Sequence, residues 1–202
     1  MPADRIPSGQ TRRRFLVTTG TLAAGLSLPA HDTMAQELPA TPACHDGDEP
    51  TSRQTEGPFF KPRSPRRGDL REPNARGVAL ELTGQVLTRR CRPLAGALVD
   101  LWHADDAGDY DNSGFRFRGH QFTDADGGYR FRTIRPGSYA GRTAHFHVKV
   151  QAAGGRILTT QLYFPNEPAN VRDSLFRRDL LMKVVQTGDG QGARFDFVLD
   201  IR

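Results

Sequence analysis

The stretch Pro136–Val150, PGSYAGRTAHFHVKV, sets the interpretation of the whole sequence. In its second half apolar residues alternate with polar ones, and His145 and His147 both fall on the polar positions. This period of two predicts a half-buried strand with both histidines on one face. Because a strand holds neighbouring imidazoles in parallel, the pair can bind one metal ion. The residues before the strand predict a turn that brings Tyr139 close to it.

An ordinary role for the same pair stays open at this point. Two histidines on one strand face also occur as solvated or hydrogen-bonded side chains with no metal between them. The stretch alone does not choose between a metal site and such a pair, so the rest of the chain has to decide.

The composition favours a turn-rich β protein. With 202 residues, 37% hydrophobic and 25% charged, the chain suits one globular domain. Its 14 prolines and 21 glycines separate short alternating runs, which predicts an all-β fold, a two-sheet β-sandwich with long connecting loops and little helix. A turn at Asp124–Gly128 is predicted to join two strands in a hairpin, and residues 166–179 are predicted to hold one short helix. Strands are predicted at 78–87, 97–104, 121–123, 129–132, 145–150, 157–164, 180–185 and 194–201.

The N-terminal residues are similar to a twin-arginine export signal. Arg12 and Arg13 precede a modestly apolar run, Leu16–Leu28, and small residues follow, which is the order of such a signal. The run is too short and too polar for stable insertion into a membrane. The sequence therefore predicts export by the twin-arginine machinery and a periplasmic or secreted protein. The predicted parts are the signal at 1–35, an N-terminal arm at 36–77 and the β-sandwich at 78–202.

Charge and cysteine content narrow the function further. The formal charge is +5, and without residues 1–35, which carry four arginines and two aspartates, it falls to +3. The remaining arginines are dispersed and no recognition helix accompanies them, which argues against a nucleic-acid partner. The two cysteines, Cys44 and Cys91, are a candidate disulfide because an exported protein meets an oxidising compartment.

Two tyrosines join the histidine pair. Tyr110 follows the predicted strand at 97–104 across a polar loop, and Tyr139 precedes the strand that carries the histidines. A phenol with a pKa of about 10 ionises at neutral pH mainly beside a strongly charged cation. Ferric iron meets that condition better than zinc or copper, so two phenols and two imidazoles together indicate an iron site.

Seven motifs follow one another along the chain: TEGP at 55–58, CRPLAGA at 91–97, DLWHA at 100–104, GDY at 108–110, PGSY at 136–139, RTAHFH at 142–147 and LTTQ at 158–161. Together they resemble the intradiol ring-cleavage dioxygenases, the family that contains catechol and protocatechuate dioxygenases. The resemblance covers residues 52–165 in the family's order, which a chance match would not give. It is closest to exported, single-domain members with a twin-arginine signal.

The resemblance implies a metal site and residues that act beside it. It implies one mononuclear non-haem Fe(III) per chain and the displacement of one tyrosine when substrate binds. The implied ligands are Tyr110, Tyr139, His145 and His147, with Tyr139 the one displaced. Arg142 would stabilise negative charge that develops on the substrate ring, and Gln161 would help to hold that charge.

The resemblance also implies an activity and its substrates. Gly57 and Pro58 would line the substrate pocket, with Phe59 or Phe60 available to cover a flat ring. The implied reaction is intradiol cleavage of a catechol-type aromatic by O2, which gives a cis,cis-muconate-type product. The partners are therefore a small aromatic diol and O2. The sequence lacks the long N-terminal helical segment with which catechol-cleaving members dimerise, so a homo-oligomer stays an open expectation.

Substrate choice depends on whether an arginine can hold a carboxylate. Arg116 and Arg118 are the candidates, but their alternation with Phe115 and Phe117 is explained equally well by a solvated edge strand. The sequence therefore predicts that catechol, or an alkyl-, chloro- or hydroxy-substituted catechol, is cleaved faster than protocatechuate.

A second class of function stays open beside the enzyme. The chain could be a non-enzymatic metal-binding or ligand-binding β-sandwich module whose histidine pair takes zinc or copper. Tyrosine ligands would separate the two classes. Two further histidines, His103 on a core strand and His120 in a polar loop, are predicted to have structural roles as hydrogen-bonded side chains.

Overall fold

A computed structural model describes residues 49–201. The predicted export signal at 1–35, and Cys44 of the predicted disulfide to Cys91, lie outside these residues and stay predictions. Nine strands and two short 3-10 helices make up the regular structure of the described part. The strands are β1 Ala79–Thr88, β2 Leu98–Trp102, β3 Arg118–Phe122, β4 Gly128–Ile134, β5 His145–Gln151, β6 Leu158–Tyr163, β7 Lys183–Thr187, β8 Gly190–Arg194 and β9 Phe197–Leu199.

The strands form two sheets, which confirms the predicted all-β, two-sheet fold. One sheet has the order β3-β2-β5-β6, and the other has the order β4-β1-β8-β7 with β9 also paired to β1. A single hydrophobic cluster takes Leu82 and Phe131 from the second sheet and Phe146 and Val148 from the first. The core therefore lies between the sheets.

The strand β5 is more deeply buried than its alternating pattern predicts. Phe146, Val148 and Val150 belong to the core cluster. On the other face His145 and His147 are only 2% and 0% exposed. A half-buried strand would have left these histidines in solvent, so something other than the second sheet covers them.

Two local predictions are wrong. The turn at Asp124–Gly128 does not close a hairpin, because β3 pairs with β2 while β4 pairs with β1 in the other sheet. Asp124 Oδ1 instead accepts the amides of Asp126 and Gly128 and holds a turn that crosses between sheets. The strand β8, GQGAR, was not predicted, since its glycines hide the alternation that marks a strand.

The predicted short helix is a 3-10 helix. Pro168–Arg172 forms it after β6, and Arg178–Leu180 forms a second one before β7. Within residues 49–201 no helix has the length and apolar character needed to cross a membrane.

Candidate metal centre

The structure brings the four predicted ligands together. Tyr110 comes from the loop after β2, Tyr139 from the turn before β5, and His145 and His147 from β5 itself. The ring centroids lie 5.3 Å apart for the two tyrosines, 5.8 Å for Tyr139 and His145, and 6.2 Å for Tyr110 and His147. The two Nε2 atoms are 3.1 Å apart. The four rings therefore enclose one small space.

Two glycines allow the tyrosine loops to approach each other. A Cβ on Gly108 would lie 2.4 Å from the Ser138 carbonyl oxygen, and a Cβ on Gly137 would lie 2.4 Å from the Asp106 carbonyl oxygen. Real side chains do not make such contacts, so only glycine fits at either position. The Gly137 amide also donates to the Asp105 carbonyl at 2.8 Å, which fixes one loop against the other.

Each histidine ring is held in one orientation. The Nδ1 of His145 donates to the Thr143 carbonyl at 2.6 Å, which leaves Nε2 free to face the other ligands. His147 stacks on Trp102, with the ring centroids 5.0 Å apart and the planes 8° apart. At its other edge a Cβ on Gly57 would come within 3.1 Å of the ring carbon Cε1. Trp102 and the N-terminal arm are thus what covers the histidine face of β5.

The imidazoles are neutral at pH 7. Burial lowers the pKa of His145 to about 4, against the pull of its hydrogen bond to Thr143. Burial, and after it the neighbouring His145, lowers the pKa of His147 well below its ordinary value, while the Thr55 carbonyl opposes the shift. Neutral imidazole is the form that binds a metal.

The phenol of Tyr110 is in the opposite situation. Burial, followed by the neighbouring Tyr139, raises the pKa of Tyr110 above its ordinary value. Its hydroxyl is buried without a hydrogen-bond partner among residues 49–201. A buried donor without a partner costs about 1–3 kcal/mol, and a cation beside the phenol would both ionise it and remove that cost.

The donor set fits ferric iron. In the described part of the chain no three histidines, cysteines, aspartates or glutamates are grouped so as to hold a metal. A metal in this space would therefore take phenolate oxygens together with imidazole nitrogens. That set suits Fe(III) better than zinc or copper. The metal itself, and the role of each ligand, stay predictions.

The predicted pair Arg142 and Gln161 lies beside the histidines. Gln161 on β6 is the register partner of His147 on β5, so the sheet places it. Its Oε1 accepts Arg142 Nη2 at 2.6 Å, and its Nε2 donates to the Thr55 carbonyl at 2.9 Å. A tight turn with positive φ at Ala140 and Gly141 connects Tyr139 to Arg142. One turn therefore delivers a predicted ligand and a cation together.

Residues 55–201 match the family of proteins described as Dioxygenase. The chain belongs to the intradiol dioxygenase family. The catechol 1,2-dioxygenase 2 of Acinetobacter lwoffii is 33% identical over 84% of this chain and 71% of its own length. The protocatechuate 3,4-dioxygenase beta chain of Burkholderia cepacia is also 33% identical, over 61% of this chain and 65% of its own.

A solved structure with higher identity is a dioxygenase domain from the cellulolytic bacterium Streptomyces sp. SirexAA-E, where it is part of a fusion with a carbohydrate-binding protein. It is 55% identical, has a TM-score of 0.75, and covers 76% of this chain and 100% of that domain. By contrast, the chain spans 49% to 71% of the length of the curated relatives. The match is therefore to the dioxygenase domain of the family.

For this intradiol dioxygenase, the interpretation of Arg118 as a residue of a solvated edge strand is wrong. Arg118 does not lie on a solvated edge, since it is only 1% exposed. Its Nη1 donates to the Phe59 carbonyl at 2.6 Å and its Nη2 to the Asp111 carbonyl at 3.0 Å. Both terminal nitrogens are occupied, so Arg118 is not placed to hold a carboxylate. Arg116 is exposed, as the solvated-edge interpretation expects.

The two phenylalanines of the arm have different neighbours. Phe59 stacks on Tyr110 with the ring centroids 4.3 Å apart, and it meets Tyr139 edge-on. Phe60 packs instead on Trp102, below the Lys149 ammonium. Of the two candidates for covering a ring, Phe59 is therefore the one beside the phenols.

His103 and His120 both lie within hydrogen-bonding distance of neighbouring groups, as their predicted structural roles require. His103 is buried, with Nδ1 2.7 Å from the Ala104 carbonyl and Nε2 2.6 Å from Thr133 Oγ1. His120 lies on β3 rather than in a loop, and its Nδ1 is 2.8 Å from the Ser64 carbonyl.

Sequence reasoning missed the residues after β6 that border the site. Asp173 contacts Arg142 through both carboxylate oxygens, although its only sequence signal is a carboxylate in a polar loop. Arg172, together with Tyr139 and Arg142, lines a cleft of about 390 Å³. These residues lie 30 or more positions from Tyr139 in the sequence, which is why spacing could not reveal them.

Proposed function

We propose that this chain cleaves catechol-type aromatics between their two hydroxylated carbons, using O2 and one Fe(III). The observation that carries the proposal is the buried group of two phenols and two neutral imidazoles, with a phenol oxygen that lacks a partner in the described chain. Relatives named as catechol, chlorocatechol and hydroxyquinol 1,2-dioxygenases support it. When bound, ferric iron would draw electron density from the catechol ring and so make a ring carbon open to attack by O2.

The residues of this chain would divide the remaining work. His145 and His147 would hold the metal as neutral ligands, while Tyr110 and Tyr139 would supply negative charge. Of the two phenols, Tyr139 would be the one displaced when catechol binds, and its oxygen would then take a proton from a catechol hydroxyl. Arg142 donates to the negative charge that develops on the ring as the reaction proceeds.

The substrate pocket would be completed by the arm and the β6 strand. Phe59 stacked on Tyr110 would give a flat wall suited to an aromatic ring, and Gly57 and Pro58 would lie beside it. Gln161 keeps the Arg142 guanidinium turned toward the site through its Oε1. The wall excludes water from the reacting ring and the cation faces its charge.

A visible spectrum tests the proposal most directly. Phenolate bound to Fe(III) absorbs visible light by charge transfer, so the iron-loaded protein should be coloured and should consume O2 when catechol is added. A colourless protein with one iron per chain would refute it. A protein that binds zinc or copper at His145 and His147 and never consumes O2 would instead support the non-enzymatic module.

The same proposal includes export through the twin-arginine pathway. That pathway carries folded proteins, so iron would enter in the cytoplasm before periplasmic metals can compete for the histidines. Replacing Arg12 and Arg13 by lysine should leave an active, iron-bound precursor in the cytoplasm, and undiminished mature protein outside would refute export by this route.

A further inference from the structure

Asp173 is a buried carboxylate that the proposed reaction has not yet used. Its side chain is 0% exposed. Both of its oxygens accept the Nε–H of Arg142, at 2.9 Å each. The amide of Thr143 donates to Oδ2 at 3.0 Å and the amide of Leu175 to Oδ1 at 2.9 Å. The carboxylate is therefore fully satisfied and fixed on three sides.

These contacts determine which Arg142 nitrogen is available. Asp173 holds Nε, and Gln161 holds Nη2 at 2.6 Å with Tyr163 Oη 3.5 Å away. Among residues 49–201 the remaining nitrogen, Nη1, has no hydrogen-bond partner. Because a guanidinium is planar and rigid, holding two of its nitrogens fixes the direction of the third.

We propose that Asp173 is a positioning residue, which holds the Arg142 guanidinium so that Nη1 is presented to the negative charge that develops on the cleaved ring. The inference rests on the proposed function. Asp173 would act only through Arg142, since it does not line the cleft that Tyr139 and Arg142 share.

The carboxylate is suited to this task because it stays ionised. Burial on its own raises the pKa of Asp173, but the hydrogen bonds from Leu175, Arg142 and Thr143 outweigh it and hold the pKa below its ordinary value. Asp173 is also linked indirectly to His145, since the amide of Thr143 donates to Asp173 and the carbonyl of Thr143 accepts His145 Nδ1. A purely structural role is thus the alternative that an experiment has to exclude.

A double-mutant cycle on the iron-loaded full-length chain separates the two roles. The variants are Asp173→Asn, Arg142→Ala and the pair combined. Asp173→Asn should lower kcat by about 10-fold to 100-fold, as loss of an outer partner does at other metal sites. In the Arg142→Ala background the same change should lower kcat by less than about twofold, since its target is gone. Equal losses in both backgrounds would overturn the proposal.

Two further readouts do not depend on turnover. Iron content should stay at one per chain in Asp173→Asn. The apparent affinity for catechol, titrated without O2 at the charge-transfer band, should change by less than about threefold, because Nη1 acts on charge that develops later. Loss of iron or of catechol affinity in step with kcat would overturn the positioning role.

Asn170→Ala is the matched control. Asn170 is on the same segment and accepts Thr143 Oγ1 at 2.8 Å, but it does not touch the guanidinium. The decrease in kcat of Asn170→Ala measures the effect of disturbing the packing of this segment. This decrease should be much smaller than the decrease caused by Asp173→Asn. Equal falls would show a structural role. If Asp173→Asn does not fold, Arg142→Lys decides, because it keeps the charge and loses the fork; more than half of wild-type kcat would overturn the proposal.

The experiment also separates failure of this inference from failure of the proposed function. Iron-loaded wild-type protein that cleaves none of the catechols would refute the function itself. Active wild-type protein with an additive cycle would leave the function standing and refute only the role of Asp173.

Discussion

Phe146 and His147 are neighbours on β5 and both are fully buried, at 0% exposed, but they are buried against different surroundings. Phe146 packs in the core between the sheets, where its ring lies 5.3 Å from that of Phe164. His147 lies on the opposite face under Trp102 and Gly57, with its Nε2 3.1 Å from the Nε2 of His145. One strand of seven residues therefore carries two kinds of buried surface.

The difference shows which property marks a site. Burial alone does not mark a site, because Phe146 and His147 are equally inaccessible to solvent. What differs is the cost: an apolar side chain gains free energy on burial, whereas a polar atom buried without a partner loses about 1–3 kcal/mol. A protein that accepts this cost at Tyr110 Oη, beside two imidazole Nε2 atoms that face each other, has a space suited to a group that binds all three.

The largest expected effect comes from the histidine face. His147→Ala removes a proposed ligand, so iron content should fall below about a tenth of wild type and kcat by more than about 100-fold, beyond what loss of an outer partner does. The variant should also be less stable than iron-free wild-type protein, because the ring of His147 is fully buried against Trp102 and its loss leaves a cavity. Metal analysis and urea unfolding measure both. A variant that kept its iron would show that His147 is not a ligand.

A substitution on the core face of β5 should lower stability without lowering iron binding by the folded protein. Phe146→Ala leaves a cavity in the core and should lower the free energy of unfolding by about 3–5 kcal/mol. The molecules that remain folded should still bind one iron per chain. Urea unfolding gives the first quantity and metal analysis of folded protein the second. Loss of iron larger than the loss of folded protein would contradict the division between the faces.

The pH dependence of the free energy of unfolding should reveal the buried His103. Burial lowers the pKa of His103 from 6.5 to about 4, against its hydrogen bond to Ala104. Between these values the unfolded chain binds a proton that the folded chain does not. This contribution to stability is complete above pH 6.5 and is lost as the pH falls toward 4, by at most roughly 1.4 kcal/mol per pH unit.

The variant His103→Asn isolates that contribution, since His145 and His147 titrate in both proteins. Its free energy of unfolding should depend less steeply on pH between 6.5 and 4 than that of the wild type. Parallel pH curves for the two proteins would show that His103 is not the group responsible.

Two glycines with the same backbone test the cover over His147. Gly57 has φ of +69° and Gly154 has φ of +68°, but a Cβ on Gly57 would meet His147 at 3.1 Å while one on Gly154 meets nothing within 4 Å. Alanine at either position should lower the stability by about 1 kcal/mol through backbone strain. Only Gly57→Ala should also weaken iron binding, by about 10-fold. Equal iron affinities would show that the arm can shift away.

The sequence predicts which residues share the histidine face of β5, but it does not predict the contacts that cover this face. Alternation placed His145 and His147 on one side of β5, and motif order added Tyr110 and Tyr139. Their depth of burial was not predicted, because the cover comes from Gly57 and from a neighbouring strand. Contacts of that kind join distant parts of the chain and leave no period in the sequence.

Two arginines show the same limit. Arg118 alternates with phenylalanines as an exposed residue would, yet backbone carbonyls of two loops bind it inside the fold. Arg142 was found by its motif, but Asp173, which holds it, lies 31 positions further on. The strand β8 was not predicted, because its glycines form the hydrogen bonds of the sheet without an apolar pattern in the sequence. Tertiary partners decide each of these cases.

The smallest expected effect concerns the edge of the site, where the cleft meets solvent. Arg172 lines the cleft beside Tyr139 and Arg142, is exposed, and has no partner among the described residues. An exposed cation contributes about 0–1 kcal/mol to an ion pair, so it is a weak clamp for a carboxylate. Catechol or a hydroxy- or chloro-substituted catechol should therefore give a higher kcat/KM than protocatechuate. Arg172→Ala should change the ratio by less than about threefold, as should the exposed Arg178→Ala, which does not line the cleft. A clear preference for protocatechuate that disappeared in Arg172→Ala alone would show that the rim of the cleft selects the substrate.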